Sequence, residues 1–322
     1  MAVYTPITKE KLSSFLENYN IGQLENFKGV LEGVENTNYK IITSQDTFIL
    51  TIFEKRVKEQ ELPFFIELQN HLSNKNIKCP SPIPNRNEQH IDTIEDKPCV
   101  LMSFLEGKKI KNSTSYHCHQ IGRLTAKIHL YSKDFNVTRN NGLHQKHWED
   151  IFGKCKNSKD RRYGELYQII EQELQYLDKN WPRKLPTGII HGDIFPDNVF
   201  FIENNVSGII DFYFSCNDFY AFEIAICFNA LCFDGIKENL SFNVTKAKKF
   251  INGYNEVRKI SDQEKKYIKV LSQGAALRFL LTRVFDYMNI VDNALVKIKD
   301  PIEYLKRLEF HKNAKDFGDY FI

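Results

Sequence analysis

The chain has 322 residues, of which 42% are hydrophobic and 26% charged, and its 44 basic and 41 acidic residues leave a net charge of +3 at pH 7. This composition excludes a disordered, collagen-like or coiled-coil chain, and the balanced charges give no electrostatic argument for nucleic-acid binding. The length predicts two lobes or domains around a sizeable core.

The sequence also bears on location. The longest apolar run, residues 221–233, is interrupted by Glu223 and Asn229 and is shorter than the roughly 20 residues of a membrane span. The N-terminus lacks the pattern of a secretory signal. Seven cysteines without a Cys-x-x-Cys pair favour buried thiols in a reducing compartment, with a structural metal at the His117-Cys118-His119 run as a minor alternative. We predict a cytoplasmic protein that binds neither membrane nor nucleic acid, and the sequence predicts no oligomeric state.

The first third of the chain is rich in predicted strands. Thr8 is expected to cap a first helix that places Leu12, Phe15, Leu16 and Tyr19 on one face. The remaining predicted elements are strands at residues 27–30, 37–43, 47–54, 91–94 and 99–104, and a helix with Pro63 in its first turn. These elements predict a small, mainly antiparallel β lobe over residues 1–104.

Helices dominate the predicted second lobe, residues 105–322. Apolar faces recur at residues 121–128 and 166–177, a capping box at Ser261 and Glu264 opens a long helix, and Asp300-Pro301 begins the last one. A strand-rich segment at residues 189–211 interrupts the helices, with a hairpin of strands at 199–202 and 206–210. The fold class is therefore predicted to be α+β with two lobes.

One motif carries more chemical information than the rest of the chain. His191-Gly-Asp193 is followed five residues after Asp193 by Asn198, and the hairpin then leads to Asp211. A carboxylate that aligns an attacking hydroxyl, and two oxygen ligands for Mg²⁺, are the polar groups that phosphoryl transfer requires. Each residue alone has common structural explanations, but their joint order indicates an ATP-dependent phosphotransferase.

The motif resembles that of a known group of enzymes. A His-Gly-Asp start, where most protein kinases have His-Arg-Asp, is typical of the aminoglycoside phosphotransferase and choline kinase branch of the protein-kinase-like fold. Within that branch the chain resembles the homoserine kinases at residues 33–38, 62–65, 195–201, 210–214, 224–229 and 274–283. The resemblance implies ATP-dependent phosphorylation of the side-chain hydroxyl of L-homoserine, a step toward threonine.

The resemblance also implies roles for individual residues. Asp193 would be the catalytic base, and Asn198 and Asp211 would be the Mg²⁺ ligands. The loop at 31–38 would cover the phosphates of ATP, with candidate contacts from Gly33, Asn36, Thr37 and Asn38. The adenine pocket would be lined by Met102, Ser103 and Phe104.

The third predicted strand departs from the broader kinase pattern. Thr51 occupies the position where a phosphate-binding Lys usually lies, and Lys55 is about 13 Å further along an extended strand. The cation that contacts the phosphates is therefore left unassigned. The missing Lys raises the alternative of a catalytically silent binding protein, which the retention of all three motif residues argues against.

An amino-acid substrate calls for an Arg fork for its carboxylate and an acidic partner for its ammonium group. Arg278 and Arg283, in an otherwise apolar helix, are the candidates for the carboxylate, with an internal ion pair as the alternative for each. Asp218 and Glu223 are the candidates for the ammonium group. A choline, ethanolamine or other small-hydroxyl kinase is the competing hypothesis, since abundant aromatic residues could cage a quaternary ammonium ion.

Overall fold

The structure is a computed structural model that describes residues 4–30, 36–54, 59–157, 163–236, 239–288 and 300–321. The chain divides into two compact units, Met1–Gly107 with Ser207–Tyr213 and Lys108–Val206 with Phe214–Ile322. Gly33, a predicted ATP contact, and Lys55, the lysine that follows the third predicted strand, lie outside the described residues.

The first unit is built on one antiparallel sheet with the strand order β1-β2-β3-β5-β4. Its elements are α1 (Lys9–Leu16), β1 (Leu24–Gly29), β2 (Thr37–Thr43), β3 (Thr47–Ile52), α2 (Leu62–Asn74), β4 (Ile91–Ile94) and β5 (Lys97–Ser103).

Both faces of this sheet are covered. On β5, Leu101 packs into the cluster that includes Leu12 of α1, whereas its neighbour Val100 packs into the cluster that includes Leu62 and Ile66 of α2. Successive side chains of a strand point to opposite faces, so β5 reads as a continuous apolar run because each face meets a different helix.

Local signals predicted several boundaries of the first unit. The Thr8 hydroxyl accepts the Lys11 N–H as the predicted N-cap of α1, and β2 and β4 have the predicted bounds. β5 begins two residues earlier than predicted, at Lys97. The reason is a two-residue turn at Glu95 and Asp96, both at positive φ, whose Glu-Asp sequence lacks the usual Asn-Gly or Asp-Gly signal of such hairpins.

The second unit is mainly helical. Its helices are α3 (Ser115–Tyr131), α4 (Trp148–Asn157), α5 (Tyr167–Asn180), α6 (Tyr220–Leu231), α7 (Val244–Val257), α8 (Asp262–Met288) and α9 (Ile302–Asn313). Short strands lie between them: β6 (Lys108–Lys109), β7 (Thr187–Ile190), β8 (Val199–Ile202), β10 (Cys216–Phe219), β11 (Phe233–Asp234) and β12 (Ser241–Phe242). The hairpin strand β9 (Asn205–Ile209) follows β8 and continues into the first unit.

Two contacts explain how this helical core closes. A Cβ at Gly122 of α3 would lie 2.1 Å from the Phe250 carbonyl oxygen, and a Cβ at Gly253 of α7 would lie 2.0 Å from that of His119. Glycine at both positions therefore lets α3 and α7 pack backbone against backbone. The predicted capping box is confirmed, since Ser261 and Glu264 exchange hydrogen bonds at the start of α8.

All seven cysteines are buried free thiols, as predicted. Among the helices that the structure describes, none has the length and apolar character needed to cross a membrane.

Candidate active site

The loop between β7 and β8 carries the motif. β7 pairs antiparallel with β10, and the loop then turns at Gly192, which has a φ of +79°. A Cβ there would lie 2.7 Å from the Phe214 carbonyl oxygen. Positive φ and this close approach together restrict the position to glycine, which places Asp193 directly after a sharp turn.

Asp193 and Asn198 lie together. The Asn198 side-chain nitrogen Nδ2 donates to the Asp193 backbone carbonyl at 2.9 Å and to its carboxylate Oδ2 at 3.0 Å. Asp193 is half-buried, and its N–H donates to His191 Nδ1 at 3.3 Å. Because Asn198 uses its nitrogen on Asp193, its oxygen Oδ1 is the atom that suits a hard cation.

Glu223 accepts hydrogen bonds from the backbone of the same loop. This carboxylate on α6 is fully buried, and its two oxygens accept the N–H groups of His191, at 2.5 Å, and Gly192, at 2.8 Å. Burial alone raises the pKa of Glu223, but the hydrogen bond with His129 and the backbone N–H of His191 outweigh burial and lower the pKa. Contact with a substrate ammonium would require Glu223 to give up these amides, which disfavours the predicted substrate role.

A chain of side chains continues from Glu223 into the helical core. His129 Nε2 lies 3.4 Å from Glu223 Oε2, and its Nδ1 lies 2.8 Å from the Tyr254 hydroxyl. Arg258 donates to that hydroxyl at 3.0 Å and pairs with Glu264 at 2.9 Å. Burial lowers the pKa of His129, so the ring is neutral at pH 7.

Arg278 reaches the loop from α8. Its Nη2 donates to the Gly192 carbonyl at 2.9 Å, and its guanidinium lies 4.3 Å from the centre of the Phe279 ring. The side chain is buried, and its Nε has no hydrogen-bond partner among the described residues. Burial lowers the pKa of Arg278, and the nearby Asp193 carboxylate opposes that shift.

Arg283, five residues further along α8, has different partners. Its Nη1 donates to the Asp300 carbonyl at 2.8 Å and to a Glu303 carboxylate oxygen at 2.9 Å. These contacts form the internal ion pair that the sequence left open as the alternative. They favour a structural role for Arg283, and its predicted substrate role stays a prediction.

Asp218 lies at the end of β10 and is buried. Its Oδ2 accepts from Asn141 at 2.6 Å, and its Oδ1 accepts the N–H of Phe219 at 2.7 Å. Both oxygens therefore have donors within the second unit. The predicted contact of Asp218 with a substrate ammonium stays a prediction.

Asp211 belongs to the first unit by its contacts. It follows β9 at a φ of +68°, which is uncommon for a residue other than glycine. Such strained positions cost of order 1–3 kcal/mol and cluster at functional sites, so the conformation is consistent with the proposed ligand role.

Thr51 occupies the position of the usual strand lysine and takes part in a network without charge. Its hydroxyl donates to Asn38 Oδ1 at 2.7 Å and also hydrogen-bonds the Tyr213 side chain. Tyr213 packs edge-on against Phe53 and Phe65. Burial, together with the Asp211 charge, raises the pKa of Tyr213, so its hydroxyl is neutral.

The other predicted ATP contacts lie at the start of β2, where Asn36 directly precedes the strand and Thr37 is its first residue. The Thr37 hydroxyl donates to Glu54 at 2.6 Å and accepts the Tyr4 N–H at 2.9 Å. Asn36 Oδ1 accepts the Glu54 N–H at 3.4 Å. Both side chains are buried, whereas Asn38 is half-buried and is held by Thr51. The role of these residues toward ATP stays a prediction.

The predicted adenine contacts lie at the end of β5. Met102 is buried in the cluster on the α2 face of the sheet, and Ser103 accepts the Ser81 N–H at 2.8 Å. Phe104 is 37% exposed, and Lys40 Nζ lies 4.2 Å from its ring centre. An exposed ring at a strand end is suited to stack on a planar base, but this role also stays a prediction.

Two features of the site were missed from the sequence. Glu223 in an apolar helix signalled a buried charge, yet nothing local identified His129, 94 residues away, as its partner. The use of Asn198 Nδ2 to hold Asp193 was also missed, because the sequence assigned Asn198 only to Mg²⁺. No cluster of three or more His, Cys, Asp or Glu suited to a metal occurs within the described ranges.

Comparisons by sequence agree with the motif. The pattern of the phosphotransferase enzyme family matches residues 26–242. The homoserine kinase of Parvibaculum lavamentivorans is 44% identical over 320 residues, covering 99% of both chains. That of Mesorhizobium japonicum is 42% identical with the same coverage.

Comparisons by structure agree on the fold. An amicoumacin kinase solved with AMP-PNP and Ca²⁺ has a TM-score of 0.71 at 12% identity, covering 97% of this chain and 95% of that one. A choline kinase from Cryptosporidium parvum has a TM-score of 0.68 at 17% identity, covering 95% and 94%. The predicted α+β, protein-kinase-like fold is confirmed, and the chain belongs to the phosphotransferase enzyme family and, within it, to the homoserine kinases.

Proposed function

We propose that the enzyme transfers the terminal phosphoryl group of ATP to the side-chain hydroxyl of L-homoserine and forms O-phospho-L-homoserine. The observation that carries the proposal is the full-length similarity to homoserine kinases at up to 44% identity. The reaction serves threonine biosynthesis.

The loop geometry supports a role for Asp193 as the base. Phosphoryl transfer depends mainly on positioning and charge stabilisation, so the carboxylate must be held in one orientation. Asn198 fixes one carboxylate oxygen of Asp193 by a hydrogen bond of 3.0 Å. The other oxygen would accept the homoserine hydroxyl and then its proton.

Asn198 and Asp211 would supply the oxygen ligands for Mg²⁺. The amide oxygen of Asn198 and the carboxylate of Asp211 are hard donors of the type that Mg²⁺ prefers. When bound, Mg²⁺ neutralises charge on the phosphates and helps to orient them.

The first unit is proposed to hold the nucleotide, and the second the hydroxyl substrate. Backbone groups near Met102, Ser103 and Phe104 would read the adenine, and residues 31–38 would cover the phosphates. The predicted cytoplasmic location and the absence of nucleic-acid and membrane partners remain predictions from the sequence.

The competing hypothesis is a choline or ethanolamine kinase. A solved choline kinase and a solved ethanolamine kinase share the fold at 17% and 15% identity, levels that carry no information about the acceptor. The relatives at 42–44% identity are named homoserine kinases, which favours homoserine as the acceptor.

The test is a panel of acceptors with ATP, comprising L-homoserine, L-serine, choline, ethanolamine and aminopropanol. We expect kcat/KM to be highest for L-homoserine, and ³¹P NMR of the product to show a phosphate monoester on the side-chain oxygen. Preferred turnover of choline or ethanolamine would overturn the substrate assignment. ATP consumption that no acceptor stimulates would overturn the proposed activity itself.

A further inference from the structure

The peptide groups around Gly192 contact two buried charges of opposite sign. The Glu223 carboxylate accepts the Gly192 N–H, and the Arg278 guanidinium donates to the Gly192 carbonyl. Glu223 is 0% exposed and Arg278 is 3% exposed. An anion therefore lies on the N–H side of Gly192 and a cation on its C=O side.

Both charges need compensation in this environment. An isolated buried ion is costly, and its cost falls when an opposite charge and hydrogen bonds compensate it. The charges near Arg278 are the carboxylates of Asp193 and Glu223, and the thiol of Cys216 and the hydroxyl of Tyr304 are its other ionisable neighbours. Glu223 in turn has neutral His129 beside it and the two loop amides in front of it.

The Gly192 carbonyl belongs to the peptide bond that leads into Asp193. A shift of this peptide moves the Asp193 backbone, and with it the carboxylate that Asn198 orients. A displacement of about 1 Å in such a group can cost on the order of 100-fold in rate. The conformation at Gly192 therefore controls the position of the proposed base.

We propose that Glu223 and Arg278 act together as a charge clamp on Gly192, and that both are positioning residues for Asp193 rather than ligands of homoserine. The inference rests on the proposed function of Asp193. It assigns to both side chains a role different from the substrate contact that the sequence suggested.

The rival role for Arg278 is contact with the substrate carboxylate. Its Nε lacks a hydrogen-bond partner among the described residues, so a ligand could take that position. The two roles differ in which kinetic constant they control. A clamp sets kcat, because it places the base, whereas a substrate ligand sets the KM for homoserine.

The experiment compares Arg278→Met, Arg278→Lys, Glu223→Gln and the double variant Glu223→Gln/Arg278→Met, with rates expressed per folded molecule. We expect kcat to fall roughly 10- to 100-fold in Arg278→Met and Glu223→Gln, with the KM for ATP and for the acceptor within about two-fold of wild type. Arg278→Lys should recover part of the loss, because Lys keeps one donor and the charge. The double variant should lose less than the product of the two single losses, since both residues act on one peptide.

Two control variants remove a buried charge of the second unit away from the loop. Lys246 pairs with Asp234, and Glu173 pairs with Lys312. Lys246→Met and Glu173→Gln should lower thermal stability while kcat per folded molecule stays within about two-fold of wild type. An equal loss of kcat in these controls would overturn the clamp, because any buried charge would then have the same effect.

The test separates failure of the clamp from failure of the substrate assignment. All variants are assayed with the acceptor that the wild-type enzyme turns over best, so a wrong acceptor leaves the comparison intact. Normal kcat in folded Arg278→Met, or a loss confined to the KM of the acceptor, would overturn the clamp. A fully additive double variant would contradict joint action on Gly192.

Discussion

The Thr51 network of the first unit and the loop between β7 and β8 of the second unit hold their residues in opposite ways. Thr51, Asn38 and Tyr213 are joined by neutral hydroxyl and amide groups. The β7–β8 loop is instead hydrogen-bonded to the buried charges of Glu223 and Arg278. Neutral networks depend on the presence of each partner, whereas buried charges also depend on protonation, so the two regions should respond to different perturbations.

The largest expected effect is at the loop itself. Asp193→Asn should lower kcat for homoserine by roughly 10²- to 10⁴-fold, because the amide cannot accept the hydroxyl proton. Thermal unfolding should stay close to that of wild type. The control is Asp178→Asn, the same substitution at an exposed position of α5. Steady-state kinetics test this prediction. A near-normal kcat in folded Asp193→Asn would contradict the assignment of Asp193 as the base.

Acid should destabilise the second unit through two buried histidines, His129 beside Glu223 and His311 between Tyr320 and Asn229. Burial lowers the pKa of His129, and burial with the Arg307 charge lowers the pKa of His311 to about 3. Below the unfolded value near 6.5, the unfolded chain binds protons that the folded chain does not, so stability falls as pH falls. Each histidine should remove up to about 1.4 kcal/mol per pH unit. Glu223, whose pKa is also lowered, adds to the loss below about pH 4.5.

Urea unfolding measured from pH 7.5 to 5.5 tests this prediction. The free energy of unfolding should decrease across the range, and His311→Gln, which cannot take up this proton, should show a smaller slope than wild type. A free energy of unfolding that is constant between pH 7.5 and 5.5 would contradict the assignment of neutral, buried histidines.

The neutral network should respond to loss of one hydroxyl. Thr51→Val removes the donor to Asn38 and the partner of Tyr213, and leaving such groups unsatisfied costs roughly 1–3 kcal/mol of stability. We expect kcat per folded molecule within about three-fold of wild type, because the network consists of neutral groups and contains no proposed base or Mg²⁺ ligand. Thr93→Val, at an exposed position of β4, is the matched control. If the free energy of ATP binding changes more than the free energy of unfolding, Thr51 would instead be a contact of the nucleotide.

The smallest effect is expected at Arg283. Because the Glu303 carboxylate is partly exposed, its pair with Arg283 should contribute at most about 1 kcal/mol, and Arg283→Lys should keep part of that. The KM for homoserine should stay unchanged. A loss of roughly 10- to 150-fold in kcat/KM for homoserine, with normal stability, would restore the substrate-carboxylate role.

Local signals predicted the elements well, and distant contacts explain the rest. Thr8 as a cap, the capping box at Ser261 and the strand bounds of β2 depend on residues that are neighbours in sequence. The order and spacing of Asp193, Asn198 and Asp211 likewise form a local pattern, and that pattern predicted a phosphotransferase. The partner of Arg283 could not be predicted, because Glu303 on α9 becomes its neighbour only after the helices pack.

The contacts of Glu223 and Arg278 with the β7–β8 loop could not be predicted for the same reason, because they join residues far apart in sequence. Glu223 and Arg278 were identifiable as charges in apolar helices, and the sequence suggested that each contacts a charged group of the substrate. Their common target, Gly192, lies 31 residues from Glu223 and 86 residues from Arg278 along the chain. Only the packed helices α6 and α8 bring both charges to one residue.

The most direct test of the central claim is a competition in one reaction. Wild-type enzyme is given limiting ATP with equal concentrations of L-homoserine, choline and ethanolamine, and the phosphorylated products are quantified by mass spectrometry. We predict that O-phospho-L-homoserine is the main product and that Asp193→Asn, at the same enzyme concentration, forms almost none of it. Phosphocholine or phosphoethanolamine as the main product, or equal product from Asp193→Asn, would contradict the account.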